Sequence, residues 1–215
     1  MIQEFKNYIP KFNKIDESID VQGFDIELFK NMKSFNQRIN YCKERLVKIG
    51  EGSSRIVYKI NDNVVLKLAK NSKGLAQNES EINQGEYYDL KNIVANVYDS
   101  DEDNRWVEME LCKKITKSRF KELTGISFLD YTQIMQYEYA QNNPSKKRFG
   151  STKPNIESDI YWENEFVKDM IDYQRGYDAL VGDLCKINSY GENSKGNIIL
   201  TDFGLTDNIF EEHYK

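Results

Sequence analysis

Four short motifs of this chain contain residue types that can hold phosphate groups and a divalent cation. In chain order they contribute Gly50 and Gly52, then Lys67, then Asp183 with Asn188, and finally Asp202. Paired glycines let backbone N–H groups approach a phosphate and donate to it. A lysine at the end of an apolar strand is costly to bury unless an anion accompanies it. An aspartate supplies the hard oxygen ligand that suits Mg²⁺.

A region of alternating apolar and polar residues must position the first two motifs. From residue 46 the hydrophobic period is two, which predicts β-strands. The predicted strands are Leu46–Ile49, Ile56–Ile60, Val64–Ala69, Val94–Asp99 and Arg105–Leu111. A tight hairpin at 61–63 joins the second strand to the third, and a helix over Leu75–Leu90 follows. The pattern predicts five antiparallel strands with one helix.

Helices are predicted on both sides of these strands. Residues 1–45 show apolar side chains at helical spacing. These are Phe5, Ile9, Phe12 and Ile15, and then Phe29, Met32, Phe35 and Ile39. The first hypothesis for this extension is a helical pair packed on the next domain, and the second is a surface for a partner. Residues 115–137 and Asp159–Leu180 read as helices, Asn142–Ile156 as an exposed loop, and Asn197–Thr201 as a buried strand.

Composition narrows the class of protein. The chain has 215 residues, of which 39% are hydrophobic and 30% charged, and these values are typical of a soluble globular protein. A net charge of -5 gives no reason to expect nucleic-acid binding. No apolar run is long enough to span a membrane. The three widely spaced cysteines favour a reducing compartment, so a cytoplasmic location is expected.

The motifs, in this order and at this spacing, resemble the active-site elements of protein kinases. The matching segments are Ile49–Lys59 for the phosphate loop, Val64–Lys67 for the strand lysine, Gly182–Asn188 for the catalytic loop and Thr201–Gly204 for the metal-binding turn. Gly182-Asp183-Leu184 looks closer to the loop of aminoglycoside phosphotransferase-like enzymes. Each motif alone is weak, and a plain hairpin, a strand-edge lysine and an ordinary turn are the alternatives.

A second resemblance is to short kinase-like proteins of tailed phages. It rests on Ala69-Lys70-Asn71, on Gly74-Leu75-Ala76-Gln77-Asn78 and on Asp202 to Thr206. If the chain is phage-encoded, its location would be the host cytoplasm or the virion. This resemblance implies a fold more than a function.

The kinase resemblance assigns phosphate-binding roles. Gly50 and Gly52 would approach the nucleotide phosphates, and Lys67 would bind them. Arg55 replaces the usual third glycine, so it would stiffen the loop or reach a phosphate itself. Glu81 is the preferred carboxylate partner of Lys67. Its competitor is Glu79, two residues earlier and therefore on a different side of the helix.

The resemblance also implies an adenine pocket. Trp106–Cys112 resembles the strand that leads into the kinase hinge. Met109 would then guard the back of the pocket, while the backbone of Glu110 and of Cys112 would hydrogen-bond adenine. Val57 and Val65 would pack on the two faces of the base.

Catalytic and metal roles follow from the same resemblance. Asp183 would position the attacking hydroxyl, with Asn188 and Asp202 as ligands of Mg²⁺. The chain departs from the families here, because Val181 replaces the histidine of the catalytic loop. A lysine is present at Lys186, one position later than in protein kinases.

The expected architecture is an α+β, protein kinase-like fold. Its parts would be an N-terminal helical extension at 1–45, a small lobe at 46–112 and a mainly helical large lobe at 113–215. The sequence ends 11 residues after Gly204, so we expect this large lobe to be truncated and most of a peptide-binding region to be missing. Glu211–Tyr214 is expected to be a solvent-exposed tail.

Three functional hypotheses remain at this point. The first is an ATP–Mg²⁺ phosphotransferase whose acceptor is an unknown protein or small molecule. The second is a pseudokinase that serves as a binding or virion-associated scaffold, favoured by Arg55 and the altered catalytic loop. The third is an unrelated α+β binding module. The sequence favours nucleotide binding with kinase-like chemistry, and fold alone does not decide activity.

Overall fold

The computed structural model describes residues 23–143, 153–154 and 163–215. Within them a five-stranded antiparallel sheet has the strand order β1-β2-β3-β5-β4. Its strands are β1 (Val47–Glu51), β2 (Arg55–Lys59), β3 (Val64–Ala69), β4 (Val97–Ser100) and β5 (Trp106–Glu110). The mixed α/β class and the five antiparallel strands predicted from the sequence are confirmed. Strand β3 lies at the centre, which accounts for its nearly continuous burial.

Two short helices cover one face of this sheet. These are α1 (Ile26–Lys30) and α2 (Phe35–Arg45), and their Phe29 and Tyr41 pack with Trp106 of β5. The single helical period expected across this stretch is wrong. Ser34 breaks it by starting α2 with a capping box, in which its side chain accepts a hydrogen bond from the Gln37 N–H. The helix predicted from Phe5 to Ile15 lies outside the described residues.

Helix α3 (Ser72–Gly85) crosses the other face of the sheet and is the one helix predicted after the third strand. Asn71 caps it by accepting a hydrogen bond from the Gly74 N–H. The predicted helix ran on to Leu90, but residues 88–90 form a separate 3₁₀ turn. Its buried face is mostly polar and carries Gln77, Asn78, Glu81 and Gln84.

The rest of the described chain combines a small sheet with helices. Strands β6 (Lys113–Lys114), β7 (Tyr190–Glu192) and β8 (Ile198–Leu200) form an antiparallel sheet in that order. The helices are α4 (Lys117–Thr124), α5 (Phe128–Asn142), α6 (Glu165–Tyr177), α7 (Val181–Leu184) and α8 (Asp207–Tyr214). A cluster of Phe120, Phe128, Tyr131, Phe166 and Tyr190 forms the centre of this region. No described helix has both the length and the apolar character needed to cross a membrane.

The two sheets meet where the site must form. The segment before β4 bonds to β8, with the Leu200 N–H donating to Ile93 and the Ala95 N–H donating to Leu200, both at 2.8 Å. These bonds place the residues after β8 beneath β3. A continuous hydrophobic core joins Val65 and Met109 to the helices below.

Helix α1 brings charge onto the outer face of the sheet and predicts a pH effect. Desolvation and the neighbouring Asp99 raise the pKa of Glu108 to about 7, against the attraction of Lys30. The folded state therefore keeps a proton that the unfolded chain releases above its ordinary pKa of 4.5. The stabilisation that comes from keeping this proton is fully present below pH 4.5 and is lost as the pH rises through about 7. We expect Glu108→Gln to raise the free energy of unfolding by about 2 kcal/mol near pH 8.

Urea unfolding at two pH values tests this effect. Near pH 4, where both states carry the proton, the same substitution should change stability little. Glu102→Gln, at an exposed position of the neighbouring turn, is the control. A gain that is equal at both pH values would show that the charge of Glu108 is not its source.

Candidate functional site

A cavity of about 430 Å³ lies between the five-stranded sheet and β6–β8. It is lined at one side by the turn between β1 and β2 and at the other by residues 187–191. Eleven of the thirteen sequence-predicted site residues line it, and ten of these are Gly50, Gly52, Arg55, Val57, Val65, Lys67, Met109, Glu110, Cys112 and Asp202. The eleventh is Asn188, the predicted second metal ligand. The fold therefore gathers these residues from five separate parts of the chain.

Lys67 is buried at the inner end of the cavity and pairs with Glu81. Its Nζ lies 2.7 Å from Glu81 Oε1 and 2.5 Å from the carbonyl oxygen of Thr201. Position 67 is central in β3, and its side chain points toward α3 because neighbours in a strand alternate between faces. Glu79, the competing glutamate, is exposed. The i, i+2 separation explains why only one of the two reaches the lysine.

Glu81 is the common acceptor of the site. Its side chain is 0% exposed, which makes every unmet lone pair costly. Oε1 also accepts from the backbone N–H groups of Phe203 and Gly204, at 3.3 and 3.2 Å. Oε2 accepts from Arg55 at 2.7 Å. One carboxylate therefore joins β2, β3, α3 and the segment after β8.

Arg55 is directed inward and bridges two acids. One terminal nitrogen contacts Glu81 and, at 3.4 Å, the side chain of Asn78. The other donates to Asp202 Oδ1 at 2.6 Å. We expected Arg55 to stiffen the loop or to reach a phosphate. In the structure its guanidinium instead connects the loop to α3 and to the turn at Asp202.

The four charges offset one another. Desolvation lowers the pKa of Lys67, and Arg55 adds to this effect against the pull of Glu81. For Arg55, desolvation is outweighed by Glu81 and Asp202, so its pKa is raised. Desolvation likewise opposes ionisation of Asp202, but Arg55 and Lys67 hold the pKa of this carboxyl below its ordinary value. The set thus combines two basic and two acidic side chains in direct contact.

The glycine turn is tied down from outside the cavity. The Gly52 N–H donates to the Arg55 carbonyl at 2.9 Å. Lys70 Nζ donates to the Gly52 carbonyl at 3.1 Å, and the Asn71 side chain donates to the Ser53 carbonyl at the same distance. A Cβ at Gly52 would meet no atom within 4 Å, so the fold itself does not require glycine there. Gly52 therefore borders open space, although its N–H and its carbonyl both already have hydrogen-bond partners.

Gly74 shows how closely α3 packs on this turn. A Cβ on Gly74 would lie 2.4 Å from the Ser54 carbonyl oxygen, a backbone atom that cannot move alone. We expect Gly74→Ala to lower the free energy of unfolding by about 1–3 kcal/mol through overpacking. The sign is informative, because alanine in a helix is otherwise more favourable than glycine by about 1 kcal/mol. Thermal melting beside Gly52→Ala checks it, and equal stability of the two variants would contradict the close contact.

The apolar part of the cavity is formed by Val57, Val65 and Met109. Val65 and Met109 are opposite each other across β3 and β5. The Glu110 N–H already donates to the Asn96 carbonyl at 2.9 Å, and its carboxylate accepts from the Asn96 amide at 2.7 Å. The backbone of Glu110 and of Cys112 was expected to bind adenine. The N–H group of Glu110 is already hydrogen-bonded to Asn96 and is therefore not free to do so. Its carbonyl and Cys112 remain the predicted contacts.

Asp183 lies apart from the residues described so far. It belongs to the one-turn helix α7, and it is not among the described residues that line the cavity. Lys186 Nζ donates to Asp183 Oδ1 at 2.5 Å. Desolvation raises the pKa of Asp183, against the effect of Lys186. Asp202 and Arg55, which line the cavity, have smaller and opposite effects on this pKa.

Two glutamines and one tyrosine, Gln77, Gln84 and Tyr214, bond to residues of the site but were not identified as site residues from the sequence. Ser54 Oγ donates to Gln77 Oε1 at 2.8 Å, and Gln77 Nε2 donates to the Tyr214 hydroxyl at 2.9 Å. Gln84 Nε2 donates to the Phe203 carbonyl at 3.3 Å. The available signal was polar side chains at positions 77, 81 and 84, which is helical spacing. Of the expected exposed tail, Glu211 and Glu212 are exposed, but His213 and Tyr214 are partly buried, because they end helix α8, which packs on α3.

Comparison with solved structures returns distant likenesses, of which two are described here. No protein-family model matches the chain, and no curated protein matches it. A solved structure of APH(2")-IIa with streptomycin and ATP aligns at 17% identity and a TM-score of 0.31, over 51% of this chain and 38% of that one. A gentamicin complex of APH(2")-IIa aligns at 11% identity and a TM-score of 0.38, over 81% and 70%.

Both of these structures are aminoglycoside phosphotransferases of protein kinase-like fold. The chain spans 38% of the length of the first structure. A likeness at this level carries no argument about activity or substrate. The function therefore has to be argued from the contacts of this chain.

Proposed function

We propose that this protein binds ATP in the cavity between its two sheets and has kinase-like phosphotransferase activity. One observation carries the proposal. A buried lysine and a buried arginine line the same cavity as a glycine turn and an apolar wall. The N–H groups of the two cations can donate to a polyphosphate and the apolar wall suits a base, and a nucleotide supplies both together.

The phosphates would lie between the glycine turn and Lys67. Open space at Gly52 lets a phosphate oxygen approach the backbone. Glu81 fixes the Lys67 ammonium group at 2.7 Å, so little side-chain entropy is lost when a phosphate binds. Glu51 at the cavity's edge is held by Lys48 and Lys70, both at 2.8 Å. The two lysines offset the negative charge of Glu51, which would otherwise repel the phosphates.

The base would lie in the apolar part of the cavity. Val57 and Val65 would pack on its faces, and Met109 would close the back. The Glu110 carbonyl and the backbone of Cys112 would hydrogen-bond its edge, since the Glu110 N–H is engaged with Asn96. A volume of about 430 Å³ falls within the usual range of ligand sites, about 300–1,000 Å³.

The acceptor would approach from the side of Asp183. Its carboxylate would accept a hydrogen bond from the attacking hydroxyl and so position that oxygen. Lys186 orients this carboxylate through a 2.5 Å contact. The acceptor is a protein or small molecule that carries a hydroxyl group. The proposed small lobe at 46–112 would hold the nucleotide, and the large lobe from 113 would supply this group.

The fold family implies Mg²⁺, and the residues present do not fit it in the arrangement seen. The expected ligands are Asp202 and Asn188, whose oxygens suit the ion. Asp202 Oδ1, however, is bonded to Arg55 at 2.6 Å. Among the residues that the structure describes, no group of three acids, histidines or cysteines is placed to hold a metal. We therefore derive no step through Mg²⁺.

A second function is favoured by the same ion pair. With Asp202 engaged by Arg55 and Asp183 outside the cavity lining, the chain would bind a nucleotide as a pseudokinase without transferring phosphate. Its role would then be to present a nucleotide-stabilised surface to a protein partner, including a virion component if it is a phage protein. Transfer assays separate the two functions, since both require nucleotide binding.

Thermal melting of the purified protein with millimolar ATP tests the proposal. A ligand that binds only the folded state raises the melting temperature by mass action. At a hundredfold excess over Kd, it raises the free energy of unfolding by about 2.7 kcal/mol. We expect a clear rise for the unchanged protein and a loss of it in Lys67→Ala. Lys91→Ala, at an exposed position outside the cavity, is the matched control and should keep the rise.

The outcomes separate cleanly. A rise that disappears only in Lys67→Ala supports a nucleotide site at β3. No rise at saturating ATP, or a rise that Lys67→Ala retains, would overturn the proposed site. Incubation with labelled ATP and measurement of phosphate release or self-labelling then divides phosphotransferase from pseudokinase.

A further inference from the structure

The Arg55–Asp202 pair joins a buried side chain to an exposed one across the site. Arg55 is 7% exposed, whereas the Asp202 side chain is 52% exposed and opens to the cavity. The two residues are 147 positions apart in sequence. A 2.6 Å contact between charged groups is a strong hydrogen bond. The acid that faces the cavity therefore already has a cation as its partner.

The surroundings favour this cation over an added one. Arg55 is held from behind by Glu81 at 2.7 Å and by Asn78 at 3.4 Å, so it cannot easily withdraw. Its exit would leave part of the buried Glu81 carboxylate without a partner. A divalent ion at Asp202 would also stand beside two positive side chains, since Lys67 shares Glu81 with Arg55. Like charges at such distances repel strongly away from bulk water.

Charge counting points the same way. Lys67, Glu81 and Asp202 alone would carry a net charge of about -1, which repels a polyphosphate unless a metal ion is added. Arg55 brings this set to zero with a group that belongs to the protein. A guanidinium has five N–H donors, and Arg55 makes three contacts here. It can thus donate to a phosphate oxygen while it keeps Asp202.

We propose that this site binds ATP without a divalent cation, with Arg55 supplying the positive charge at Asp202 that a metal ion would otherwise supply. The proposal rests on the function proposed above and specifies the form of nucleotide that the site takes. Arg55 is then a phosphate-binding residue whose position is fixed by Glu81. Metal-free ATP is the ligand class, and Mg²⁺ is not required for binding.

Calorimetric titration of the full chain with ATP tests this, once in EDTA and once in Mg²⁺. We expect about equal Kd values in the two buffers. Arg55→Gln should weaken binding in EDTA about tenfold or more, the loss typical of a charge-assisted hydrogen bond. The same variant should bind ATP more tightly in Mg²⁺ than in EDTA, because Asp202 is then open to the ion.

Asp202→Asn gives an independent test with a different sign. If Arg55 binds phosphate, removing the competing acid should tighten binding in EDTA. If Asp202 is instead a metal ligand, that substitution should weaken binding in Mg²⁺ and leave EDTA unchanged. Arg55→Lys keeps the charge but loses the forked geometry, so it should fall between Arg55→Gln and the unchanged protein. Circular dichroism confirms that each variant is folded.

Each outcome bears on a separate claim. ATP binding by the unchanged protein only in Mg²⁺ would overturn the metal-free proposal and leave the nucleotide site standing. No ATP binding in either buffer would overturn both. Equal binding in both buffers, with loss in EDTA on Arg55→Gln and a gain on Asp202→Asn, would establish Arg55 as the resident cation.

Discussion

Glu81→Ala should lower the free energy of unfolding by about 3–5 kcal/mol, a large part of the stability of a typical domain. The substitution removes the shared acceptor of Lys67 and Arg55, whose side chains are both 7% exposed. It also removes the acceptor of the Phe203 and Gly204 N–H groups. Two buried cations would repel each other with no acid between them. Urea unfolding, followed by circular dichroism, measures the loss.

The control for Glu81→Ala is Glu79→Ala on the same helix. Glu79 is exposed, and substitutions at such positions usually change stability by less than about 0.5 kcal/mol. Both changes remove a carboxylate and increase helix propensity equally, so their difference isolates the buried network. Similar midpoints for the two variants would show that Glu81 does not hold the site together.

Asp183→Asn should reduce phosphate transfer by about 10²–10⁴-fold, the usual contribution of a positioned acid–base group, if the protein is an active phosphotransferase. The amide keeps the size of the side chain but cannot accept a proton from the attacking hydroxyl. ATP affinity should be nearly unchanged, because Asp183 is not among the described residues that line the cavity. Transfer from labelled ATP and calorimetric ATP binding measure the two effects separately.

Asp172→Asn is the matched control, since the same chemical change falls at an exposed position of α6. It should leave transfer intact. Because desolvation raises the pKa of Asp183, transfer should also decline on acidification at a higher pH than an ordinary aspartate would give. Full transfer by Asp183→Asn would remove Asp183 from the mechanism.

Local sequence patterns were sufficient to predict the sheet. Strand β3 matches its predicted bounds because Val64–Ala69 is a short apolar run between a hairpin turn and a cap. Lys67 was identified in the same way, as a charge in an otherwise apolar strand. Glu81 was preferred over Glu79 for Lys67, and their contacts show the geometric reason. The predicted roles of these residues in binding ATP stay predictions.

The partners of Arg55 depend on tertiary structure and could not be predicted. Its contact with Asp202 joins positions 147 residues apart, and no local rule connects them. The division of residues 26–45 into two helices was missed for another reason. The apolar spacing of Phe29 and Phe35 continued across Ser34, but the capping preference of that serine decided the boundary. Local hydrogen bonding here outweighed hydrophobic periodicity.

The amides that Glu81 binds give the segment after β8 an unexpected rigidity. Loops are commonly the first parts of a protein to open, because few buried contacts hold them. Phe203 is 3% exposed, and its N–H, like that of Gly204, ends on a carboxylate with 0% exposure. Solvent can reach these protons only when α3 leaves the sheet. We therefore expect these two amide protons to exchange slowly, at a rate set by the separation of α3 from the sheet.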